Sequence, residues 1–292
     1  MNKLCALITL YNPDEEKLRL NISQIKDYVG KIYLLCNSHV DFLIEDEKIC
    51  LIDNKKNRGL SAAFNIGIEK AKGEGFEQAI LFDQDSVLTK KNFELLCEDF
   101  LAESANAACI GPSLNVRGNI IAIPRWSMNL HFKVSENVVS VKHVITSGML
   151  LKIRAFDDVG GFDERFPVDF CDFTFCWKCI RKGYAVLQSK RAFIHHEVGN
   201  AAMKIGKSTV HFHAPYRNYF LVRDTLNVVF RNKATPVFMR FRFLFLLPVR
   251  MILFLVKCDR KKERLKMYSF GFCDFLRNVH GYGCIAKLLG AE

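Results

Sequence analysis

Two aspartates that flank one glutamine, Asp83-Gln84-Asp85, come directly after an apolar run at residues 78–82. Side chains two positions apart at a strand end project to the same side, so these carboxylates could hold a hard divalent cation such as Mg²⁺ or Mn²⁺. Such an ion would keep open positions for the oxygens of a diphosphate. Taken alone, the pair is more typical of a strand-to-turn junction in which an aspartate caps the residues that follow.

Three cysteines, Cys171, Cys176 and Cys179, have the spacing of a plant-type iron–sulfur loop. The aromatic residues between them indicate a helix, on which the three thiols point in different directions and do not converge on one cluster. No fourth cysteine lies nearby in the sequence. We therefore expect buried free thiols rather than a cluster.

The positive charge of the chain is concentrated in its last quarter. The 292 residues include 42 Lys+Arg and 31 Asp+Glu, for a net charge of +11, and 50% of them are apolar. This composition excludes disordered, collagen-like and low-complexity chains. Residues 217–292 hold 15 of the basic side chains and only 5 of the acidic ones. We therefore expect a nearly neutral globular domain followed by a basic appendage.

The amino terminus and the cysteine content indicate the compartment. The apolar run that begins the chain is too short for a secretory signal, and Asn12 and Pro13 end it. Eleven cysteines cannot all pair, so without export they are expected to be reduced thiols in a cytosol.

The appendage contains an apolar, aromatic stretch at residues 238–256, interrupted by Arg242 and Arg250. A membrane span needs about 20 predominantly apolar residues, so this stretch is not expected to span. On a helix, Arg242, Arg250 and Lys257 share one sector and Phe and Leu cover the rest. This pattern suits a helix in a membrane interface, with basic residues 260–262 facing anionic lipid headgroups. The alternatives are a helix packed on the domain and a nucleic-acid surface.

The first half of the chain alternates strands and helices. Asn12 is predicted to cap the first helix, with Pro13 at its first position. The predicted strands are residues 4–10, 31–36, 48–52 and 78–82, and a further helix is predicted at 59–72. This order implies a parallel sheet, in which ligands bind beyond the carboxyl ends of the strands.

An ordered series of motifs resembles the family 2 glycosyltransferases. In the nucleotide-sugar half these motifs are Thr9-Leu-Tyr-Asn-Pro13, Asn57-Arg-Gly-Leu-Ser-Ala-Ala-Phe-Asn-Ile-Gly67 and Asp83-Gln-Asp-Ser86. The later motifs are similar to the acceptor half of bacterial rhamnosyltransferases: Ser147-Gly148, Gly160-Gly-Phe-Asp-Glu164, Val168-Asp-Phe-Cys-Asp172, His196-Glu-Val-Gly199 and Pro215-Tyr-Arg-Asn-Tyr-Phe-Leu-Val-Arg-Asp224. The resemblance covers residues 4–225.

The resemblance implies an α/β architecture, the GT-A fold, with a Rossmann-like, mostly parallel nucleotide-binding sheet. The GT-A domain would comprise residues 1–225, with the nucleotide-sugar half at 1–112 and the acceptor half at 113–225. Residues 226–292 would form the helical, basic and aromatic appendage, an amphipathic membrane-associating region.

The resemblance also implies site residues. Asp172 aligns with the catalytic base and follows the start of a helix predicted at 169–181, where the macrodipole alone would favour a carboxylate. The nucleotide sugar is assigned to Thr9, Leu10, Tyr11, Asn12, Asn37, Asp53, Arg58, Asp83, Gln84 and Asp85. The Mg²⁺ or Mn²⁺ ligands are Asp85, Asp83 and His196, although a lone histidine after an apolar strand is usually a hydrogen-bonded core residue. The acceptor or diphosphate is assigned to Ser147, Gly148, Asp169, Arg217 and Arg223, and the two arginines could equally form ion pairs on a helix surface.

Several residues depart from the family pattern. Cys36 replaces the usual aspartate that accepts the pyrimidine N–H, so base recognition falls to Asn37 or Asp53. Thr174, Lys178, Phe220 and Asp224 also differ, which makes an altered choice of substrate or a weakened enzyme conceivable.

The implied function is an inverting, metal-dependent glycosyltransferase that moves a sugar, with dTDP-rhamnose as the expected donor, to a lipid-linked or polysaccharide acceptor in O-antigen or capsule synthesis. Its expected partners are the nucleotide-diphosphate sugar, this acceptor and an anionic membrane surface, with no nucleic acid. Its expected location is the cytoplasmic side of the cell membrane, held peripherally, with a homodimer through the C-terminal helices as a further option. The alternative is a catalytically decayed GT-A domain that binds a membrane surface or a nucleic acid.

Overall fold

The computed structural model describes residues 3–42, 44–84, 86–116, 119–121, 132–195, 201–205 and 208–291. The strands are β1 (Leu4–Leu10), β2 (Lys31–Cys36), β3 (Ile49–Asp53), β4 (Gln78–Asp83), β5 (Ala107–Val116), β6 (Asn119–Ile121), β7 (Phe132–Lys133), β8 (Val138–Ser140), β9 (Met149–Lys152), β10 (Ala185–His195), β11 (Ala201–Ile205) and β12 (Ser208–Phe212). The α-helices are α1 (Glu15–Ile25), α2 (Gly59–Gly73), α3 (Lys90–Ala102), α4 (Ile153–Val159), α5 (Cys171–Arg181), α6 (Arg217–Phe230), α7 (Val237–Lys257) and α8 (Lys261–Leu276).

One mixed sheet organises this part of the chain, in the order β3-β2-β1-β4-β9-β5-β10-β8-β7, with β6 beside β5. Strands β1 to β4 pair in parallel, as the sequence predicts. Strand β9 then inserts antiparallel between β4 and β5. The predicted mostly parallel pairing therefore describes β1 to β4, whereas β9 introduces antiparallel pairs. The predicted α/β class is confirmed.

Apolar side chains on both faces of the sheet build two cores. Helices α1 and α3 cover one face, with Ile22 and Phe93 among the buried contacts. Helices α2, α4 and α5 cover the other face, with Phe64 and Phe175 buried there. Strand β1 is buried along its whole length because it lies between these two layers.

The predicted cap of the first helix is wrong. Asn12 adopts a left-handed backbone conformation with φ 49°, and its N–H donates to Ser38 Oγ at 2.7 Å. Asp14 caps α1 instead, because its side chain accepts a 3.1 Å hydrogen bond from the Lys17 N–H. Pro13 consequently precedes the helix rather than beginning it. Strand β3 and helix α5 also begin after the predicted positions 48 and 169.

The predicted amphipathic helix of the appendage is α7, which has one buried and one exposed apolar face. Met239, Leu247 and Phe254 are buried on the side that faces the protein. The opposite side carries a stripe of exposed apolar side chains at helical spacing: Phe238, Phe241, Phe245, Val249, Ile252 and Val256. In the described part of the chain, no helix is long and apolar enough to cross a membrane.

The helices after the sheet pack on one another. The predicted domain boundary at residue 225 lies inside α6, and α8 packs along the same helix, with Gly271 of α8 against the Tyr219 backbone of α6. The division at residue 225 stays a proposal.

Candidate active site

Four parallel strands end at one edge of the sheet and bring the predicted nucleotide residues together. Leu10 of β1 pairs with Cys36 of β2, which pairs with Asp53 of β3, while Thr9 pairs with Asp83 of β4. The residues that follow these strands therefore line the edge where ligands of α/β sheets bind.

The residues after β1 divide into structural and accessible groups. Leu10 is fully buried, and Thr9 is buried with its hydroxyl 3.4 Å from the Phe82 carbonyl oxygen. The Gln84 amide accepts from the Tyr11 N–H at 2.6 Å and donates to the Tyr11 carbonyl at 3.0 Å. The predicted ligand contacts through the side chains of Thr9, Leu10 and Gln84 therefore need correction, since these groups hold the loop. The Tyr11 ring remains 42% exposed and can meet a ligand.

The two residues proposed for base recognition lie in different environments. Asn37 is buried, and its Oδ1 accepts from Asn54 Nδ2 at 3.0 Å and from the Arg58 N–H at 3.2 Å, while its Nδ2 donates to the Gly59 carbonyl at 3.3 Å. Asp53 is exposed and pairs with Lys55 at 2.8 Å, which lowers the pKa of the Asp53 carboxyl. Asn37 thus braces the loop, and Asp53 is the side chain available to a base.

The start of α2 joins the two halves of the domain. The Leu60 N–H donates to the Pro167 carbonyl at 2.7 Å, and Ser61 Oγ donates to the Phe166 carbonyl at 2.7 Å. Gly59, at φ +80°, has no room for a side chain because a Cβ there would lie 2.6 Å from Pro167. The exposed Arg58 lies beside this junction.

Ser147 connects the loop before β9 to the end of β4. Its hydroxyl donates a 2.6 Å hydrogen bond to Asp83 Oδ2. The next residue, Gly148, donates its backbone N–H to the Leu81 carbonyl at 2.8 Å, which fixes this loop against β4. Asp85 and His196, the other two predicted metal ligands, lie outside the described residues.

Asp172 occupies the first turn of α5 and is partly exposed to solvent. Burial by the surrounding protein and, to a smaller extent, the charges of Asp169 and Asp83 together raise the pKa of its carboxyl to about 7. A 2.8 Å hydrogen bond from the Phe173 N–H opposes this shift. A carboxylate with a pKa near 7 can accept a proton effectively at neutral pH.

The two predicted arginines differ in accessibility. Arg217 is partly exposed and forms a 2.5 Å ion pair with Asp169. Arg223 is fully buried, donating to Asp224 at 2.7 Å and to the Tyr219 hydroxyl at 2.9 Å. The assignment of Arg223 to diphosphate or acceptor is therefore corrected, and so is its alternative as a helix-surface residue, because the side chain does not reach the surface.

A divalent cation suits the carboxylates at this site. Asp83, Asp169 and Asp172 lie close enough for their charges to interact, and Arg217 is the cation paired with this group. Carboxylate oxygens are the ligands that Mg²⁺ and Mn²⁺ prefer. Across the described residues, no group of three or more His, Cys, Asp or Glu is arranged to hold a metal. Of the three predicted metal ligands, Asp83 is the one that lies within the described residues, and it would hold the ion.

The three cysteines of α5 are buried free thiols, and the other eight cysteines of the chain are also free. Cys176 lies beside Cys109 of β5, and burial together with this contact raises the pKa of the Cys109 thiol well above its usual range. These thiols belong to the core beneath the site rather than to its surface.

Two residues at the site carry no predicted role. Asn57 lies in the motif before α2, and its Oδ1 accepts a 2.7 Å hydrogen bond from the Tyr282 hydroxyl. The two residues are 225 positions apart, so no local pattern connects them.

Comparison with known proteins agrees with this geometry. A family model described as glycosyl transferase family 2 matches residues 34–159. The dTDP-rhamnosyl transferase RfbF of Shigella flexneri is 26% identical over 294 residues, which cover 97% of this chain and 98% of that protein.

Solved structures share the fold at low sequence identity. The structure of S. aureus TarS 1–349 in complex with UDP has a TM-score of 0.55 and 13% identity, covering 94% of this chain and 80% of that one. GalNAc-T7 with UDP, GalNAc and Mn²⁺ has a TM-score of 0.55 and 12% identity, and the match covers 98% of this chain but only 57% of that chain. The chain is therefore a glycosyltransferase on a GT-A fold, and its residues 34–159 match the model of glycosyl transferase family 2.

Proposed function

We propose that this chain is an inverting, metal-dependent rhamnosyltransferase that uses dTDP-rhamnose and a lipid-linked or polysaccharide acceptor in the synthesis of a cell-surface glycan. The main support for the proposal is Asp172, in the first turn of α5, whose carboxyl has a pKa of about 7 and interacts electrostatically with Asp83 at the edge of the sheet. The similarity along 97% of the chain to a protein named dTDP-rhamnosyl transferase supports the choice of donor.

In the proposed reaction, Asp172 takes the proton from an acceptor hydroxyl. The acceptor oxygen then forms a bond to the anomeric carbon while the bond from that carbon to the diphosphate breaks, so the configuration inverts. General-base assistance of this kind contributes about 10²–10⁴-fold to the rate. A divalent cation, when bound at Asp83, supplies charge that stabilises the leaving diphosphate.

Residues near the base have supporting roles in this proposal. Asp169 holds Arg217 in a 2.5 Å ion pair, which keeps a cation close to the reacting groups. The exposed Tyr11 and Asp53 line the edge where the nucleoside would lie, and the exposed Arg58 could contact phosphate.

The exposed stripe of α7 supports attachment to the surface of an anionic membrane. Six apolar side chains project from this face, and the exposed basic residues Arg260, Lys261 and Lys262 follow the helix directly. Aromatic and basic side chains in this arrangement favour an interfacial helix. Phe243 of the same helix packs 5.3 Å from Phe170, two residues before Asp172, so a bound membrane would lie near the acceptor side of the site.

A donor panel tests the catalytic proposal. We expect dTDP-rhamnose, titrated calorimetrically with Mn²⁺, to bind more tightly than UDP-glucose or GDP-mannose, and to be hydrolysed to free sugar in the absence of an acceptor. Asp172→Asn should slow this hydrolysis about 10²–10⁴-fold. Asp157→Asn, which changes a carboxylate of α4 paired with Lys72 of α2, is the matched control and should have no such effect. Equal hydrolysis by Asp172→Asn, or no binding of any nucleotide sugar, would overturn the proposal.

A further inference from the structure

The last residues of the chain return to the nucleotide edge of the sheet. After α8, two short 3₁₀ turns at Gly283–Ile285 and Lys287–Leu289 lead the chain back to the loop before α2. We call residues 281–291 the C-terminal segment. It lies on the site although more than 220 positions separate it from this loop.

Asn57 forms three hydrogen bonds with this segment. Its backbone N–H donates to the Gly290 carbonyl at 3.0 Å, and its Nδ2 donates to the Leu289 carbonyl at 3.1 Å. Its Oδ1 accepts from the Tyr282 hydroxyl at 2.7 Å and from the Gly59 N–H at 3.0 Å. One amide side chain therefore connects the C-terminal segment to the first residue of α2.

The C-terminal segment is itself held firmly by α6 and α8. The Cys284 N–H donates to Asp274 Oδ2 at 2.9 Å, and the Tyr282 ring packs on Phe220 with 5.9 Å between centroids. Arg223 donates to the Gly281 carbonyl, which gives this buried arginine a structural role. Because these anchors are buried, the segment presents a defined surface to Asn57.

The segment also approaches the residue that follows β1. The Tyr11 hydroxyl is 3.5 Å from the Leu289 carbonyl oxygen. Burial raises the pKa of the Tyr282 hydroxyl and Tyr11 and Tyr216 also raise it, whereas the hydrogen bond with Asn57 and the charge of Arg217 lower it. Tyr282 thus contacts Asn57 at the nucleotide edge and lies within electrostatic range of the arginine that pairs with Asp169.

We propose that the C-terminal segment contributes to binding of a nucleoside diphosphate at the donor site. In this scheme, Tyr282 positions the loop before α2 through its hydrogen bond with Asn57. Tyr282 is a positioning residue in this scheme, because it acts on the ligand through Asn57 and Gly59. The inference rests on the proposed function, since it assumes that a nucleotide sugar occupies this edge.

Full-length variants test the inference, with dTDP and Mn²⁺ as the calorimetric probe. Tyr282→Phe removes the hydroxyl and keeps the ring, so we expect the Kd for dTDP to rise about three- to tenfold, the worth of one hydrogen bond. The KM for dTDP-rhamnose hydrolysis should rise similarly while kcat stays unchanged. Tyr268→Phe is the control, because the Tyr268 hydroxyl is also buried but contacts Asn218 and the Met251 carbonyl instead.

A double-variant cycle separates positioning from general destabilisation. If Tyr282 acts through Asn57, Tyr282→Phe in an Asn57→Ala background should have little additional effect on the Kd. Three results would overturn the inference without touching the proposed function. The first is an equal Kd for wild type and Tyr282→Phe, and the second is an equal loss of dTDP affinity in Tyr282→Phe and Tyr268→Phe. The third is a double variant in which the effects of the two single substitutions on the Kd are fully additive. Failure of the wild-type chain to bind any nucleotide would overturn the proposed function and this inference together.

Discussion

The hydroxyl of Ser147 donates a 2.6 Å hydrogen bond to Oδ2 of Asp83, and it thereby connects the loop before β9 to the end of β4. Ser147 is buried, so water does not readily replace this contact. The bond directs one carboxylate oxygen toward the acceptor half of the domain. Orientation of a ligand carboxylate by such a hydrogen bond commonly changes metal affinity.

We expect Ser147→Ala to raise the Mg²⁺ or Mn²⁺ concentration needed for half-maximal donor hydrolysis about tenfold, because the Asp83 carboxylate would lose its fixed orientation. A metal titration at saturating donor measures this change. Ser269→Ala removes a hydroxyl that bonds only within α8 and should leave the titration unchanged. A Ser147→Ala enzyme with the wild-type metal requirement would contradict a metal-positioning role for this serine.

The raised pKa of Asp172 predicts a rate that depends on pH. Its carboxyl must be ionised to accept a proton, so kcat for donor hydrolysis should rise between pH 6 and 8 around the pKa of about 7. Removal of this group by Asp172→Asn should abolish the pH dependence of the residual rate over the same interval. A wild-type rate that stays flat across it would show that another group, with a different pKa, limits the reaction.

The same shift predicts a pH-dependent difference in stability. The folded-state pKa is raised from 3.8 to about 7, so the folded protein holds this proton more tightly than the unfolded chain. The contribution of this bound proton to the stability of the folded protein is fully present below about pH 3.8 and is lost as the pH rises through about 7. We therefore expect the Tm of Asp172→Asn relative to wild type to increase from pH 5.5 to pH 8. A difference in Tm that is constant across this range would contradict the assigned pKa.

The close contact between Gly59 and Pro167 predicts an unequal response of two glycines. Gly160→Ala should cost about 1–2 kcal/mol, because Gly160 has a left-handed backbone at φ +70° but open space around it. Gly59→Ala should cost several times more, since its Cβ would also lie 2.6 Å from Pro167. Urea unfolding of both variants measures the difference. Equal free energies of unfolding would mean that the loop at residue 167 moves aside without cost.

The exposed face of α7 predicts binding to anionic vesicles. The double variant Phe241→Asp/Phe245→Asp should reduce flotation with phosphatidylglycerol vesicles at least tenfold, because it places two charges in the apolar stripe. Leu101→Asp alters an equally exposed apolar residue on α3 and should have no effect. Wild-type binding should also weaken in 0.5 M salt or on phosphatidylcholine alone, since basic residues 260–262 contribute. Flotation that is unchanged by the double variant would contradict attachment through α7.

Local sequence patterns predicted the first four strands, several helices and the general position of the site. Apolar runs predicted β1, β2 and β4 within one residue, because strands buried on both faces need continuous apolar segments. Helical spacing likewise predicted α7 within one residue at each end. The order of strands and helices placed Tyr11, Asn37, Asp53 and Asp83 at one edge, since parallel strands end together.

Only the tertiary structure decided which of these residues a ligand can reach. Gln84 and Asn37 have the polarity expected of ligand contacts, yet their amides are occupied by backbone groups and by another side chain. Arg223 matches a family motif but is buried beside Asp224, a contact that depends on how α6 packs under α8. Hydrophobic periodicity in the sequence indicates whether a residue is buried. Which group a buried polar side chain then contacts depends on segments far away along the chain.

The pKa of Asp172 and the contacts of the C-terminal segment likewise could not be predicted from the sequence. The pKa of Asp172, on helix α5, depends on burial and on Asp83, which lies 89 positions away in the sequence at the end of β4. The hydrogen bond from Tyr282 to Asn57 joins residues 225 positions apart. The sequence by itself determined the carboxylates, the parallel strands and the basic aromatic appendage of this protein. The fold decided their electrostatics and their contacts, because both depend on distances in space rather than on distances along the chain.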